Sequence, residues 1–314
     1  IHRSTPIDIT STPRCQTDPV TMNQRNIRIL VSMMCCIIFA FLRSFKSSSP
    51  GITIQREITA AHHQERKLAD GCYHVFLDVG SNIGMHARFL LEPSLYRNAG
   101  IARSFFNTHF GPEELRDNRD FCIFSFEPNP SHLQRHEEMR HAYDFMGWRY
   151  YPIHGGVSDK DGNLTFYHIG DETGFTMLKT SCRKRCDPEY VPIYHLSEWI
   201  QREVNGREIP EPYGEKGLVT GPRVVMKMDI EMMEWIVFPD LLHSGVLCND
   251  IHAVMGEFHL RSHWFFYPIT FEDHKRQGEN FTLQSWQDGD KLKNEWLGMM
   301  ERNPNCSTQL VMRD

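Results

Sequence analysis

The residues best suited to chemistry are charged side chains that follow apolar runs. Lys227, Asp229 and Glu231 alternate at the end of one such run, and Glu257 and His259 follow another. Charged groups are costly in a core unless they are paired. Because strand side chains alternate between two faces, Lys227, Asp229 and Glu231 are expected on one face. We therefore predict a buried polar cluster where strands of a sheet end; a solvated edge strand is the alternative.

A glycine-rich loop follows the first apolar run of the domain. It reads Asp78-x-Gly80-x-Asn82-x-Gly84, with Ser81 between the glycines, and helical spacing of apolar residues begins directly after it. Strand, glycine-rich loop and helix form the first crossover of a doubly wound α/β sheet, where ligands bind at the carboxyl ends of strands. An ordinary turn that contains glycines is the alternative interpretation.

The spacing of this loop indicates which ligand it suits. A dinucleotide pyrophosphate requires G-x-G-x-x-G, which this loop lacks, so a nicotinamide-dependent dehydrogenase is disfavoured. Glycine lets the backbone approach a ligand closely or take a positive φ. The acid at the strand end, Asp78, favours a ligand with a positive end, such as an amino acid moiety.

A second apolar run, Phe121 to Phe126, ends in Glu127. A carboxylate at the end of the second strand of such a sheet accepts hydrogen bonds from the vicinal hydroxyls of an adenosine ribose. The interval between Asp78 and Glu127 is long for this fold, and an irregular insertion at residues 93–120 accounts for it. Alone, Glu127 also fits a solvated acid at a strand end.

These side chains need a sheet to bring them together. Apolar runs predict strands near residues 75–78, 121–126, 149–154, 223–231 and 252–258, shorter strands between 163 and 194, and a last strand at 308–312. Apolar spacing predicts helices from residue 85 and at 132–142, 196–204, 235–242 and 284–302, with a short helix at 112–118. The predicted fold class is therefore α/β with a doubly wound sheet.

Composition limits the functions to consider. The chain has 314 residues, a net charge of −6 and a pI near 6.3, so nothing indicates binding to nucleic acid. Hydrophobic residues make up 40%, which allows a sizeable core. The length suits one large domain with extensions, or two small domains.

The N-terminal part predicts a membrane anchor. Residues 1–24 are expected to be a disordered tail, 25–46 a signal anchor, 47–70 a polar stem, and 71–314 the folded domain. The uncharged run at 29–42 lies between basic residues and is shorter than the roughly 17 to 25 residues of a typical span. We favour an uncleaved anchor that enters the membrane through residues 27–42. A cleaved signal peptide and a buried helix are the alternatives.

Cysteines and glycosylation sequons favour an oxidising compartment. Beyond the apolar run lie six cysteines: Cys72, Cys122, Cys182, Cys186, Cys248 and Cys306. An even number fits disulfides. Sequons begin at Asn163, Asn280 and Asn305. We expect a single-pass protein of the Golgi or endoplasmic reticulum with a lumenal domain, or alternatively a secreted one. No second Cys or His pair lies near Cys182 and Cys186, so no metal site is predicted.

Four ordered segments together resemble the FkbM family of S-adenosylmethionine-dependent methyltransferases. They are Asp78-Val-Gly-Ser-Asn-Ile-Gly84, Glu127-Pro-Asn-Pro130, Lys227-Met-Asp-Ile-Glu231 with Glu234, and Glu257-Phe-His259. The resemblance covers residues 73–260, about 60% of the chain. It implies a class I methyltransferase fold, Rossmann-like, with a mostly parallel seven-stranded sheet whose last strand is antiparallel. An anchor before such a domain is similar to animal methyltransferase-like proteins of the secretory pathway.

The resemblance implies S-adenosylmethionine as the cofactor. The residues expected around its methionine end are Asp78, Gly80, Ser81, Asn82 and Gly84. Glu127 would hold the ribose, and Ser158 and Asp159 would lie near the adenine.

Methyl transfer to a hydroxyl needs alignment of the reacting atoms and a base for the hydroxyl proton. Asp229 and His259 are the candidate bases. Lys227 would orient Asp229 or hold an acidic acceptor, and Glu231 would orient the acceptor. Glu234 would do the same, or would only cap the helix that follows it. The expected reaction is O-methylation of a hydroxyl on a glycan or a small metabolite.

One position departs from the pattern of the family. The family has Lys-x-Asp-x-Glu-Gly-x-Glu, and this chain has Met232 at the position of the glycine. A bulky side chain there would reshape the loop or alter the activity. The alternative function is therefore a catalytically inactive methyltransferase-fold binding protein of the secretory pathway.

Overall fold

A computed structural model describes residues 66–169, 174–178, 188–214, 219, 221–260, 266–276 and 278–313. The predicted tail and anchor, most of the stem, and Cys182 and Cys186 lie outside these residues. Gln64–Asp314 forms one compact unit. Within the described ranges, no helix combines the length and the apolar character needed to cross a bilayer.

The described residues form twelve strands and seven α-helices. The strands are β1 (His74–Val79), β2 (Phe121–Glu127), β3 (Arg149–His154), β4 (Gly156–Ser158), β5 (Gly162–Ile169), β6 (Gly174–Thr176), β7 (Pro188–His195), β8 (Val224–Met228), β9 (Ala253–Glu257), β10 (Ile269–Arg276), β11 (Glu279–Leu283) and β12 (Gln309–Arg313). The α-helices are α1 (Met85–Leu91), α2 (Gly100–Phe110), α3 (Leu133–Phe145), α4 (Leu196–Glu203), α5 (Glu234–His243), α6 (Val246–Asp250) and α7 (Trp286–Arg302). Short 3₁₀ turns lie at Pro93–Leu95, Glu113–Leu115, Asn118–Asp120 and Pro130–His132.

The main sheet contains six strands in the order β12-β9-β8-β1-β2-β3, and each described pair in it is parallel. The strands that follow β1 along the chain, β2 and β3, lie in order toward one edge of the sheet. Strand β8 lies on the other side of β1. Strand order therefore reverses between β1 and β8. In open α/β sheets, ligands bind beyond the carboxyl ends of strands at such a switch point.

Both faces of this sheet are covered, as the sequence predicts. All residues of β1 and β2 are buried, which is typical of parallel strands with helices on both faces. Val75 and Leu77 pack on the face covered by α4, α5 and α7, whereas Phe76 packs on the face covered by α1, α2 and α3. The predicted α/β class with helices on two faces is thus confirmed.

The expected seven-stranded sheet with an antiparallel last strand is not what the described residues form. Six strands are present there, and the last, β12, is parallel to β9. The segment before α7 instead forms the antiparallel hairpin β10–β11, which is a separate sheet. Ile269, Phe271 and Leu283 of this hairpin are buried in the main core. The hairpin is therefore held by apolar contacts with the core, and its strands do not pair with the main sheet.

The insertion at 93–120 contains the unpredicted helix α2, whereas the helix predicted at 112–118 forms only 3₁₀ turns. Helix α2 has 11 residues, and its Phe105, Phe106 and Phe110 are buried against the face of the sheet that carries Phe76 and Phe121. Phe106 meets Phe76 edge to face at 5.1 Å between ring centroids. Burial of these aromatic rings stabilises the helix. The glycines and prolines of the insertion are the reason why the sequence did not predict it.

Two disulfides form among the predicted cysteines. Cys72 pairs with Cys122, and Cys248 pairs with Cys306. The first bond joins the segment before β1 to β2, and the second joins α6 to the segment before β12. The prediction that these four cysteines form disulfides is confirmed.

His74 makes the stability of the fold depend on pH. Its ring is buried, and Nδ1 accepts a hydrogen bond from the amide of Arg223 at 3.1 Å. Burial, together with Arg207 and Arg223, lowers the pKa of His74 to about 3. Because an unfolded histidine titrates near pH 6.5, the unfolded state binds an extra proton between these values, and stability falls as the pH decreases.

We expect the free energy of unfolding of the wild-type chain to fall more steeply between pH 7 and 5 than that of His74→Asn. The difference in slope approaches about 1.4 kcal/mol per pH unit, because one group is involved. Urea unfolding at several pH values measures it. His141→Asn, at an exposed position of α3, is the control and should retain the wild-type dependence. Equal slopes for wild type and His74→Asn would contradict the prediction.

Candidate functional site

Two loops meet at the switch point between β1 and β8. Gly80 takes a φ of 74°, and a Cβ at this position would lie 1.9 Å from the carbonyl oxygen of Asp229. The Asp229 amide donates to the Val79 carbonyl oxygen at 3.1 Å, and the ammonium of Lys227 donates to the Gly80 carbonyl. Loop-to-loop packing therefore requires glycine at position 80 even without a ligand.

Strand β2 holds the rest of the glycine-rich loop. The amides of Gly80 and Ser81 donate to the carbonyl oxygen of Phe126 at 3.1 and 3.0 Å. Asn82 takes a φ of 52°, and its amide donates to Glu127 Oε2 at 2.6 Å. The loop is thus fixed by backbone hydrogen bonds and one carboxylate.

Glu127 has spare capacity for a ligand. Its Oε1 accepts from the amide of Asn129 at 2.9 Å and lies 3.5 Å from His132 Nδ1, while Oε2 accepts from Asn82. A carboxylate offers about four lone-pair sites. After the two backbone amides are counted, Glu127 can still accept hydrogen bonds from a pair of hydroxyls.

A narrow cavity, called the inner cavity below, lies beyond β1, β2 and β8. Of the predicted site residues it is lined by Gly80, Asn82, Glu127, Asp229 and Glu231. Two further lining residues, Phe166 and Phe175, stack at 5.1 Å between ring centroids. The cavity has a volume of about 60 Å³, which holds only a few water molecules. A nucleoside can enter only if side chains at the cavity move.

A larger depression, called the outer groove below, opens on the other side of Asp229. Its volume is about 270 Å³. His86, Lys227, Asp229 and Glu257 are its ionisable residues, and Phe89, Ala99, Ile101, Ala102, Met255 and Val311 give it an apolar wall. Its residues come from α1, the start of α2, the end of β8, β9 and β12. Asp229 lines both spaces.

Strand β8 ends earlier than predicted. The sequence predicts a strand through Glu231, whereas β8 ends at Met228. Glu231 and Met232 then take φ values of 50° and 84°, and the hydroxyl of Thr176 donates to the Glu231 carbonyl oxygen at 3.0 Å. The prediction that strand alternation places Lys227, Asp229 and Glu231 on one face is wrong. A left-handed turn brings the acids together instead.

The acids after β8 converge on His259. His259 Nδ1 lies 2.9 Å from Glu234 Oε1, and Nε2 lies 3.6 Å from Glu231 Oε2 and 3.7 Å from Asp229 Oδ1. Burial acts to lower the pKa of His259, but Glu234 and then Glu231 and Asp229 outweigh it and raise this pKa to about 10. In this arrangement His259 carries a proton at neutral pH and donates rather than accepts one.

Lys227 and Asp229 form a charged pair beside this cluster. Lys227 Nζ lies 3.3 Å from Asp229 Oδ2, and the lysine side chain is buried. Burial acts to lower the pKa of Lys227, but Asp229 and Asp78 raise it above its usual range. Burial likewise acts to raise the pKa of Asp229, but Lys227 and His259 hold it below its usual range. Burial raises the pKa of Glu231 to about 7.

Asp78 lies fully buried beneath the glycine-rich loop. Neither of its carboxylate oxygens has a hydrogen-bond partner among the described residues. Burial raises the pKa of Asp78 to about 6, with Lys227 opposing the shift. Buried carboxylates normally accept hydrogen bonds, so the negative charge of Asp78 under the loop is compensated only in part, by Lys227.

Met232 does not obstruct the inner cavity. Its φ of 84° is the conformation that glycine adopts readily, so the turn keeps a glycine-like backbone despite the methionine. Its side chain is fully buried in the main core and is not part of the cavity lining. The bulky side chain therefore strains the backbone without filling the space beside Asp229.

Five predicted cofactor residues are not part of the lining of the inner cavity: Asp78, Ser81, Gly84, Ser158 and Asp159. Ser158 is fully buried. Asp159 Oδ1 lies 2.9 Å from His274 Nδ1, and Asp159 lines a different groove, beside α5 and β10. Gly84, at a φ of 76°, precedes α1 and packs against Met139. Phe166 and Phe175 carry no signal of a site in the sequence, because these two rings reach the cavity only through the folding of β5 and β6.

Comparison with known proteins does not place the chain in a family. No family model matches it, nor does any curated protein or any solved structure. The described architecture, a parallel sheet with helices on both faces, is compatible with a Rossmann-like fold.

Substitutions at Met232 separate backbone strain from side-chain packing. Both M232A and M232G lose the buried side chain, at a cost of about 2–5 kcal/mol. Glycine alone relieves the positive φ, which costs other residues about 1–2 kcal/mol. We expect M232G to be more stable than M232A by about 1 kcal/mol in urea unfolding.

The neighbouring Met233 provides the matched control for this pair. It is buried but has a φ of −69°. Alanine adopts this backbone conformation without strain and loses less conformational entropy than glycine on folding, so M233A should be more stable than M233G. If M232A proved at least as stable as M232G, strain at position 232 would be refuted.

Asp78 should destabilise the protein as it ionises. Its folded-state pKa of about 6 is higher than the 3.8 of an ordinary aspartate, so stability falls as the pH rises from about 4 to 6. We expect the stability of D78N relative to wild type to increase by about 1–3 kcal/mol between pH 4 and 7, measured by urea unfolding. D144N, at an exposed position of α3, should show no such increase. A constant difference between D78N and wild type would contradict the prediction.

Proposed function

We propose that the chain is an S-adenosylmethionine-dependent methyltransferase. The observation that carries the proposal is the inner cavity at the switch point, where the glycine-rich loop, Glu127 and Asp229 converge. The spare lone pairs of Glu127 suit a ribose diol. Asp78 does not line the cavity, but its buried charge beneath the glycine-rich loop favours the positively charged end of the cofactor beside that loop. The resemblance of the four sequence segments to the FkbM family supports the same conclusion.

We place the methyl acceptor in the outer groove, across Asp229 from the cofactor. S-adenosylmethionine bound in the inner cavity would supply an electrophilic methyl group to the acceptor oxygen, and its sulfur would keep the electron pair of the broken carbon–sulfur bond. The hydroxyl proton would pass to Asp229, which is the candidate base because this residue lines both spaces. Lys227, at 3.3 Å, orients this carboxylate.

The outer groove suits a small hydroxyl compound. One wall is apolar, with Phe89, Ile101 and Met255, and the opposite side carries Asp229 and Glu257. Its volume of about 270 Å³ is near the lower end of ligand pockets. A sugar ring or a small hydroxylated metabolite, which has both apolar and hydroxyl faces, matches this lining better than a polyanion does.

We place the protein in the secretory pathway, anchored through residues 27–42 with the folded domain in the lumen. The pairs Cys72–Cys122 and Cys248–Cys306 support this location, because disulfides persist in oxidising compartments. The secreted form stays the alternative.

The small volume of the inner cavity favours a second candidate. A domain of the same fold without catalytic activity would not need space for a complete cofactor, and about 60 Å³ is too small for one without rearrangement. Such a protein would bind an acceptor-like ligand in the outer groove without transferring a methyl group.

Calorimetric titration of the full-length chain with S-adenosylmethionine tests the proposed function. We expect one equivalent to bind, and E127Q to weaken binding by about 10- to 100-fold, because hydrogen bonds to a charged group contribute about 1.5–3 kcal/mol. E138Q, at an exposed position of α3, should retain wild-type affinity.

The outcomes separate the two candidates. Failure of the wild-type chain to bind S-adenosylmethionine would refute the methyltransferase. Binding without formation of S-adenosylhomocysteine across a panel of glycan and small-molecule hydroxyls would favour the inactive domain. If the enzyme is active, D229N should lose turnover while it retains cofactor binding.

A further inference from the structure

A third depression, called the lateral groove below, lies beside α5, β10 and α7. Its volume is about 490 Å³, which is within the range of small-molecule sites. None of its lining residues belongs to the inner cavity or to the outer groove. The lateral groove is therefore a separate space, and the proposed methyl transfer does not use it.

Helix α5 contributes one whole face to the lateral groove. Ile236, Pro239, Asp240 and His243 line it, and residues that recur at i, i+3, i+4 and i+7 share one side of a helix. Trp296 of α7 also belongs to the lining. Three of these five side chains are apolar, so this part of the groove suits the carbon skeleton of a small organic compound.

Arg276 of β10 brings to the groove a guanidinium that the fold already holds in place. Its Cζ lies 3.8 Å from the ring centroid of Phe281 and 5.9 Å from that of Trp296, and Nη2 donates to the Trp235 carbonyl oxygen at 3.2 Å. A guanidinium has five N–H donors and keeps its charge in proteins. Only one of these donors has an acceptor among the described residues, so the others are available to a ligand.

His274 provides an independent indication of a ligand. Its side chain is 4% exposed, and Nδ1 lies 2.9 Å from Asp159 Oδ1. Within the described ranges, Nε2 has no hydrogen-bond partner. A buried polar atom without a partner is costly. Because His274 lines the lateral groove, a ligand bound there would supply the missing partner. When the ring carries both protons, Nε2 donates and its partner is an anion or another acceptor.

The two carboxylates of the groove already have partners, whereas a neighbouring ammonium does not. Asp159 is paired with His274, and Asp240 accepts a hydrogen bond from the hydroxyl of Ser197 at 2.5 Å. Lys275 is exposed, and it forms no ion pair with any described residue. The charges of the groove that are left to act on a ligand are therefore positive.

We propose that the lateral groove binds a small organic anion, whose phosphate or sulfate group contacts Arg276, Lys275 and His274. The carbon skeleton of this anion would lie against Ile236 and Pro239. A planar guanidinium can donate to two oxygens of such a group at once, which an ammonium cannot do in the same way. The site does not depend on the proposed methyltransferase activity, because the two share no residue.

Calorimetric titration of the full-length chain with phenyl phosphate and with phenyl sulfate tests this site. Each probe joins an oxyanion to an apolar ring, and we expect one equivalent of at least one of them to bind. Phenol, which has the same ring without the oxyanion, should bind at least about 10-fold more weakly. The ratio of the two affinities shows which oxyanion the groove prefers.

Variants of the two cations identify the groove as the place of binding. R276Q should weaken binding by about 10- to 100-fold, because hydrogen bonds to a charged group are lost. K275Q should weaken it by about 2- to 5-fold, as expected for an exposed ion pair. R302Q and K291Q, at exposed positions of α7 outside the groove lining, are the matched controls and should retain wild-type affinity.

Two results would overturn the proposal: no saturable binding of either probe by the wild-type chain, or equal affinity in wild type and R276Q. If circular dichroism shows that R276Q is unfolded, H274Q replaces it, with an expected loss of about 10- to 100-fold. R276Q should retain the wild-type affinity for S-adenosylmethionine. Probe binding by a wild-type chain that does not bind S-adenosylmethionine would refute the methyltransferase and retain the anion site.

Discussion

The candidate site depends on the close approach of the loops after β1 and β8. Gly80 lies against the carbonyl of Asp229, where any Cβ would overlap it, and Lys227 bridges from β8 to the Gly80 carbonyl. Through this contact, the side of the site that contains Glu127 is fixed relative to the side that contains His259. A larger residue at position 80 would separate the two sides before it affected any ligand.

Negative charge is in excess at this edge of the sheet, and burying it lowers the stability of the folded state. Asp78 and Glu231 are held at raised pKa values by burial, and Glu234 has a buried oxygen without a described partner. The aromatic and aliphatic core on both faces of the sheet offsets this cost. Uncompensated buried charge of this kind is typical of functional sites, because a ligand or ion of opposite charge completes it.

Asp229 lines both the inner cavity and the outer groove, which are formed by different elements of the fold. The inner cavity is built from the strand ends and from the rings of Phe166 and Phe175, whereas the outer groove takes its wall from α1, α2 and β12. The strand-end part is rigid because β1, β2 and β8 are buried along their whole length. Variation in α2 and β12 can therefore change what the groove accepts without moving Asp229.

Local sequence pattern determined the α/β class, the strands β1, β2 and β3, and the acids and histidine that follow β8 and β9, because periodicity and residue type are properties of short segments. The convergence of Asp229, Glu231 and His259 required the left-handed turn after β8 and the pairing of β8 with β9. Tertiary structure decided where β8 ends, that the aromatic residues of the insertion form α2, and that β10–β11 packs on the core instead of extending the sheet. It also paired Asp159 with His274, away from the inner cavity, and turned the Met232 side chain into the core. Each of these outcomes depends on contacts between residues remote along the chain, and no local pattern contains them.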